Sequence, residues 1–209
     1  MSSISNYVVD KVIDSKINVQ DNSTLNFDIK ENASACIFFK NSSGVSTKIN
    51  ITLHENSVCE MFGMFKSKNH DTNVITNVIH NGKKSKCNQD FRFINKKSTS
   101  SFEGKITIPK HITGCESHML NKNILLDDNS NAFSKPELNI NNEDVICTHG
   151  CTIGALDENH LFYLQHRGLT YEEAVEVLVQ AFSHKRTKRF YTHQNGKHYE
   201  MNGLALVNE

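Results

Sequence analysis

Neither sign of charge prevails in this sequence of 209 residues: lysine plus arginine and aspartate plus glutamate each number 23. A zero formal net charge leaves no electrostatic footprint for nucleic acid. The local basic run Lys185, Arg186, Lys188 and Arg189 reads as a solvated helix end. No apolar run approaches the roughly 20 residues of a membrane span. The opening residues, MSSISNYVVDKVIDSK, contain no apolar h-region, so no secretory signal is expected. The six cysteines, Cys36, Cys59, Cys87, Cys115, Cys147 and Cys151, lack the dense spacing of a disulfide framework, which predicts free thiols in a reducing compartment. Neither GxxxxGK[ST] nor GxGxxG occurs, which argues against nucleotide chemistry within the chain. GxSxG and HExxH are missing as well, and carboxylates are nowhere concentrated as polysaccharide cleavage would need.

What is present is a succession of short apolar segments divided by polar turns. From about residue 17 to residue 153 the segments INVQ, TLNFDI, ACIFF, TKINITL, VCEMFGMF, NVITNVIH, FRFI, FEGKITI and ELNI read as strands. Period-two alternation is clear from Lys48 to Leu53 and from Phe102 to Ile108. Turns fall at Glu55-Asn56, Asn81-Gly82, Asn129-Ser130 and Asn141-Asn142, and turn positions are one reason for the abundance of asparagine. Met61, Phe62, Met64 and Phe65 read as core. Two architectures fit. A sandwich needs hairpins, and Asn81-Gly82 could form one; a β-solenoid with coils of about 20–25 residues would hold roughly six coils here. Periodicity alone leaves both open.

Past Gly154 the pattern turns helical. Asp157 is placed to cap a helix from Glu158 to about Arg167, with Leu161, Phe162 and Leu164 as apolar contacts and Gly168 as the stop. Thr170 and Glu173 form a capping-box pattern for a second helix. Ala174, Val175, Leu178, Ala181 and Phe182 supply its apolar face, and Lys185 and Arg186 suit its C-terminal end. The expected organisation is a β core over residues 1–155, a helical subdomain over 156–186 and a poorly ordered tail over 187–209.

The chemistry-bearing stretch is Cys147-Thr148-His149-Gly150-Cys151. On a strand, Cys147, His149 and Cys151 share one face at spacings of about 7 Å. That is too far apart for all three to reach one zinc ion without a bulge. A metal bound by neighbouring pairs, or completed from another coil or chain, competes with packed cysteines and a hydrogen-bonded surface histidine. Gly150 and Gly154 leave room for a close approach. A second pair, Cys115 and His118, could set an imidazole beside a thiolate. These residues leave two rivals: a metal-dependent or thiol enzyme on a β-solenoid using Cys115, His118 or Cys147, and a structural zinc module.

The stretch from Lys135-Pro136-Glu137-Leu138-Asn139-Ile140 through Glu143-Asp144-Val145, Cys147-Thr148-His149-Gly150, Thr152, Gly154, Leu156-Asp157-Glu158 and Leu161-Phe162-Tyr163-Leu164 to Arg167-Gly168 resembles the C-terminal core of the SufB/SufD family of iron–sulfur cluster assembly proteins. Phe102-Glu103-Gly104-Lys105-Ile106 and Asn121 to Leu126 resemble further family segments, and His80 matches more loosely. Gly150 after His149 is similar to the SufD branch, since SufB-type members carry glutamate there. The SufB acceptor cysteine would fall near Asn121. SufD proteins usually carry an N-terminal helical region that this sequence lacks.

The resemblance implies a right-handed parallel β-helix with a small helical subdomain. It also implies a non-enzymatic scaffold that pairs with a SufB-like protein, or with its own copy, around the Cys/His strand. His149 would handle the nascent cluster or its iron, as a candidate metal ligand, with Cys147 as a second candidate; Cys151 stands where the family usually has alanine and is expected to pack. The helices would dock a SufC-type ABC ATPase through Phe162, Arg167, Leu178 and Phe182. The cluster would be held transiently, ATP and magnesium would reside in the ATPase, and a cysteine desulfurase system would supply sulfur indirectly. The expected location is the cytoplasm, or the stroma of a plastid-like organelle.

Overall fold

A computed structural model describes residues 3–183. The expected tail, together with Lys185 and Arg186, lies outside the described residues. Twelve strands precede two helices among these residues, and the strands form two six-stranded sheets. One sheet runs β1(Ser3–Val9), β3(Ser23–Ile29), β5(Val45–Leu53), β7(Thr72–His80), β9(Thr99–Ile108), β11(Asn131–Ile140). The other runs β2(Val12–Asn18), β4(Ser34–Asn41), β6(Val58–Lys68), β8(Lys86–Lys96), β10(Cys115–Leu125), β12(Val145–Ala155). Every strand pairs in parallel with strands two places away in the chain. The polypeptide therefore alternates between the sheets and winds as a β-solenoid. Asn81-Gly82 opens no hairpin; it is the corner between β7 and β8. A Cβ at Gly82 would lie 2.0 Å from the Glu55 amide nitrogen, so the close approach of the neighbouring corner demands glycine.

The coils widen along the chain. One turn takes 20 residues where Asn26 meets Asn6, 24 where Asn50 meets Asn26, 27 where Asn77 meets Asn50 and 32 where Lys135 meets Glu103. Strands lengthen to match, from 7 residues in β1 and β2 to 11 in β10 and β12. β3 to β9 and β11 each extend beyond the apolar segment of four to eight residues that they contain, because polar side chains continue the strand.

Inward positions of the narrow coils are apolar. Phe39, Phe65, Phe91, Phe93 and Phe102 are fully buried, and their rings stack across coils. Met61 and Phe65 belong to this core. Phe62 and Met64 are also buried but face outward, and the Phe62 ring lies between Phe38 and the Arg92 guanidinium.

Asparagine has two structural tasks. Asn26, Asn50 and Asn77 each donate Nδ2 to the Oδ1 of the asparagine one coil earlier, at 2.8, 2.7 and 2.9 Å, which forms a ladder ending on Asn6. Asn32 and Asn56 occupy left-handed corners, with φ of 59° and 54°, where their short polar side chains are tolerated. Lys84 and Gly114 continue that corner at 57° and 69°, each donating its N–H to the coil above.

The chain divides at Leu156 and Asp157 into two compact units. In the second, α1(Glu158–His166) is capped by the Asp157 carboxylate, which accepts from the Asn159 N–H, and Gly168 follows at φ 96°. α2(Tyr171–Ser183) carries the expected capping box: Glu173 N–H donates to Thr170 Oγ1 at 3.2 Å, and Thr170 N–H donates to Glu173 Oε2 at 2.8 Å. Ala174 is buried, Val175, Leu178 and Phe182 are half-buried, and Ala181 is exposed, contrary to its expected place on the apolar face. Phe162 is 62% exposed rather than packed, and its ring lies against His166 of the next turn.

Candidate functional site

The solenoid's last coil is built from β11 and β12, each at the edge of its sheet. β12 pairs with β10 on one side only, so its far backbone edge is unpaired among the described residues. Register fixes which side chains face inward. Cys147, His149, Cys151 and Ile153 lie beside Ser117, Met119, Asn121 and Asn123 of β10, all four buried. Ile146, Thr148 and Thr152 face the other way. Among the described residues no further coil covers β12, and Cys147 is half-buried while His149 and Cys151 are exposed. The three side chains share one face at alternate positions, as strand geometry requires.

The floor beneath this face is shaped by specific residues. Met119 is in register with His149 and folds inward only because residue 104 is glycine; a Cβ there would lie 2.4 Å from Met119 Sδ. Asn121 is buried, donates Nδ2 to the Phe91 carbonyl at 3.3 Å and accepts from Cys151 Sγ at 3.8 Å. Asn123 donates to Asn121 Oδ1 at 2.8 Å and to the Thr152 carbonyl at 3.2 Å. Ser100 and Asn95 extend this network inward, so the wide coils have a polar interior. Gly154 has open space around it, whereas a Cβ at Gly150 would lie 3.2 Å from Leu120 Cδ1.

Burial pushes the Cys147 thiol up to about 11, with the neighbouring Cys115 adding to the effect, so the free chain holds it protonated at neutral pH. Cys147 is not a resting thiolate nucleophile. Among the described residues, no three His, Cys, Asp or Glu side chains converge closely enough to hold a metal ion. Cys147, His149 and Cys151 stand in a row along one strand.

Cys115 and His118 do not form a pair. They lie on opposite faces of β10: Cys115 is buried and its thiol donates to the Gly82 and Thr113 carbonyls, whereas His118 faces outward. His118 instead bridges Thr148 Oγ1 at 2.7 Å and Glu116 Oε1 at 3.0 Å, and Lys86 reaches the other Glu116 oxygen at 3.0 Å. Sequence reasoning missed this chain of contacts across three coils, because its members are about 30 residues apart. Hydrogen bonds from His118 and then Lys86 hold the Glu116 carboxyl below its ordinary value. Inside, His80 is fully buried, and burial lowers it to about 4; its Nδ1 lies 2.8 Å from Ser85 Oγ.

In the helical unit, Phe162 and Arg167 are exposed, with the Arg167 guanidinium donating to the Tyr163 hydroxyl at 3.1 Å. Leu178 and Phe182 are half-buried. All six cysteines are free, and no helix among the described residues is long and apolar enough to cross a membrane.

Residues 10–182 match the family described as "SUF system FeS cluster assembly, SufBD core domain". The chain is 32% identical to "Iron-sulfur cluster assembly protein SufD" of Escherichia coli (strain K12) over 95 residues, which covers 46% of this chain and 22% of that protein. It is 32% identical to "Protein ABCI7, chloroplastic" of Arabidopsis thaliana over 89 residues, covering 43% and 19%. It is 27% identical to "Iron-sulfur cluster assembly SufBD family protein ycf24" of Galdieria sulphuraria over 106 residues, covering 50% and 48%. The matched part thus spans about a fifth of the first two relatives and about half of the third. With the parallel solenoid, the Cys/His edge strand and the core-domain match over residues 10–182 together, the chain belongs to the SufB/SufD family of iron–sulfur cluster assembly proteins.

Proposed function

We propose that this chain is a non-enzymatic scaffold subunit of a SUF-type iron–sulfur cluster assembly complex, in the position of a SufD-type protein. The observation that carries the reading is β12, an edge strand of 11 residues that presents Cys147, His149 and Cys151 along one face. A SufB-like partner, or a second copy, adds its own strand to that edge and its own ligands to that face. An imidazole and thiols suit this cargo because thiolate and neutral imidazole both bind iron. His149 is the leading ligand, being exposed, and Cys147 becomes available once iron displaces its proton.

The helical unit docks a SufC-type ABC ATPase, with exposed Phe162 and Arg167 and the α2 face of Leu178 and Phe182 as its contact residues. ATP and magnesium belong to that partner; its hydrolysis cycle moves the paired solenoids and opens the face carrying His149. Sulfur arrives from a cysteine desulfurase system. The setting is the cytoplasm or a plastid-like stroma, and the chloroplastic relative supports the second. The rival reading, a thiol enzyme, is disfavoured because Cys115 and His118 point apart and Cys147 is protonated.

The test is co-expression with the SufB-like protein and ATPase of the same genome. Co-purification is expected. Leu178→Asp, with folding checked by circular dichroism, should release the ATPase and leave the solenoid pair intact. His149→Ala should lower the iron bound by the purified complex without changing its stability. Unchanged iron would remove His149 from the role, and failure to capture either partner would overturn the scaffold reading.

A further inference from the structure

Two cysteines that the scaffold reading does not use lie on adjacent coils in direct register: Cys59 of β6 beside Cys87 of β8. Both face the core, with exposures of 0% and 2%. The next rung of the same inner column is Ser117 of β10, which is also fully buried, and its Oγ has no hydrogen-bond partner among the described residues. Two stacked thiols and an unpartnered hydroxyl therefore stand in line inside the solenoid.

In-register side chains of parallel strands project side by side, one strand spacing of about 4.8 Å apart. A disulfide draws its Cβ atoms to about 3.8 Å, so forming one here would require the coils to pinch together. A linear thiolate–metal–thiolate unit, with metal–sulfur bonds of about 2.3 Å, spans about 4.6 Å and fits the spacing as it stands. Two soft sulfurs, with only the neutral Ser117 hydroxyl beside them, select a soft monovalent ion.

We propose that Cys59 and Cys87 form a two-coordinate site for Cu(I) within the solenoid core. As the ion enters, two Sγ–H bonds break, two Sγ–Cu bonds form, and both protons pass to buffer; no electron is transferred. The resulting unit carries one negative charge. Ser117 Oγ–H then finds the acceptor it otherwise lacks and donates to the Cys87 sulfur. Both thiols must lose a proton to bind the ion, so uptake strengthens as pH rises. The two sulfurs lie on β6 and β8 rather than on β12, and the proposal does not depend on the scaffold reading.

The test is anaerobic Cu(I) titration of the full chain against a chromophoric Cu(I) chelator, on a Cys36→Ser/Cys147→Ser/Cys151→Ser background that removes the three thiols that are not buried. A tight equivalent is expected, and Cys87→Ser on that background should lose it. X-ray absorption of the loaded, unaltered chain should show two sulfur scatterers and no nitrogen; because it needs no variant, it decides the matter even if Cys87→Ser fails to fold. Retention of the tight equivalent by a folded Cys87→Ser variant, or a nitrogen ligand in the spectrum, would overturn the site.

Discussion

Phe91→Ala tests the account of the core most directly. Phe91 is fully buried, and its ring centroid lies 5.2 Å from Phe102 and 6.3 Å from both Phe39 and Phe65, so it joins rings of both sheets and several coils. Deleting a buried phenyl costs about 3–5 kcal/mol, the spread reflecting how far the surroundings collapse into the hole. Collapse is restricted here because the neighbour in register, Gly63, has no side chain to move; a Cβ built there would lie 2.3 Å from Phe91 Cδ1. The loss therefore belongs in the upper half of that range. At about 2–4 °C per kcal/mol for a chain of this size, the midpoint should fall by roughly 8–20 °C. Thermal and urea unfolding followed by far-ultraviolet circular dichroism measure it. The same geometry predicts non-additivity: Gly63→Ala should destabilise the native core, yet regain about 1 kcal/mol in the Phe91→Ala background by filling the hole. A loss below about 1 kcal/mol for Phe91→Ala, or strict additivity of the pair, would refute the reasoning.

Other consequences can be checked with the same protein. Asn50→Ala removes one ladder bond given and one received, and should cost about 1–2 kcal/mol, whereas Asn73→Ala, exposed on the same sheet, should change stability by less than about 0.5 kcal/mol. His80 binds its proton less readily folded, at about 4, than unfolded, so the unfolded chain holds more protons as pH falls from about 6.5. Stability should drop by about 3 kcal/mol between pH 6.5 and 4 on this account, and His80→Gln should flatten that slope in urea titrations at stepped pH. Cys147, raised to about 11, should react with iodoacetamide at pH 8 about a hundredfold more slowly than a peptide thiol, as followed by mass spectrometry; equal rates would contradict its protonated state. Phe162→Ala, at a 62% exposed ring, should leave stability within about 0.5 kcal/mol, and a larger loss would show packing that the helical unit does not display.

The sequence by itself determined most of the strands of the narrow coils, because their inward positions are apolar and alternate with polar ones. It also determined both helices, because Asp157, Thr170, Glu173 and Gly168 act within one turn of the backbone they cap. The family resemblance, carried by short contiguous motifs, was legible for the same reason. β10 was not legible: its inward residues are Cys115, Ser117, Met119, Asn121 and Asn123, and a polar interior erases the hydrophobic period that marks a strand. Sandwich and solenoid could not be separated by period, since both need short alternating strands; only the parallel pairing of strands two places apart distinguishes them. The candidate site divides along the same line. That Cys147, His149 and Cys151 share a face follows from strand geometry alone. That this face lies at the solenoid's open edge, that Met119 and Asn121 form its floor, that Cys115 and His118 point apart, and that Cys59 meets Cys87 all depend on register between coils. Register joins residues about 30 positions apart, and no local pattern records it.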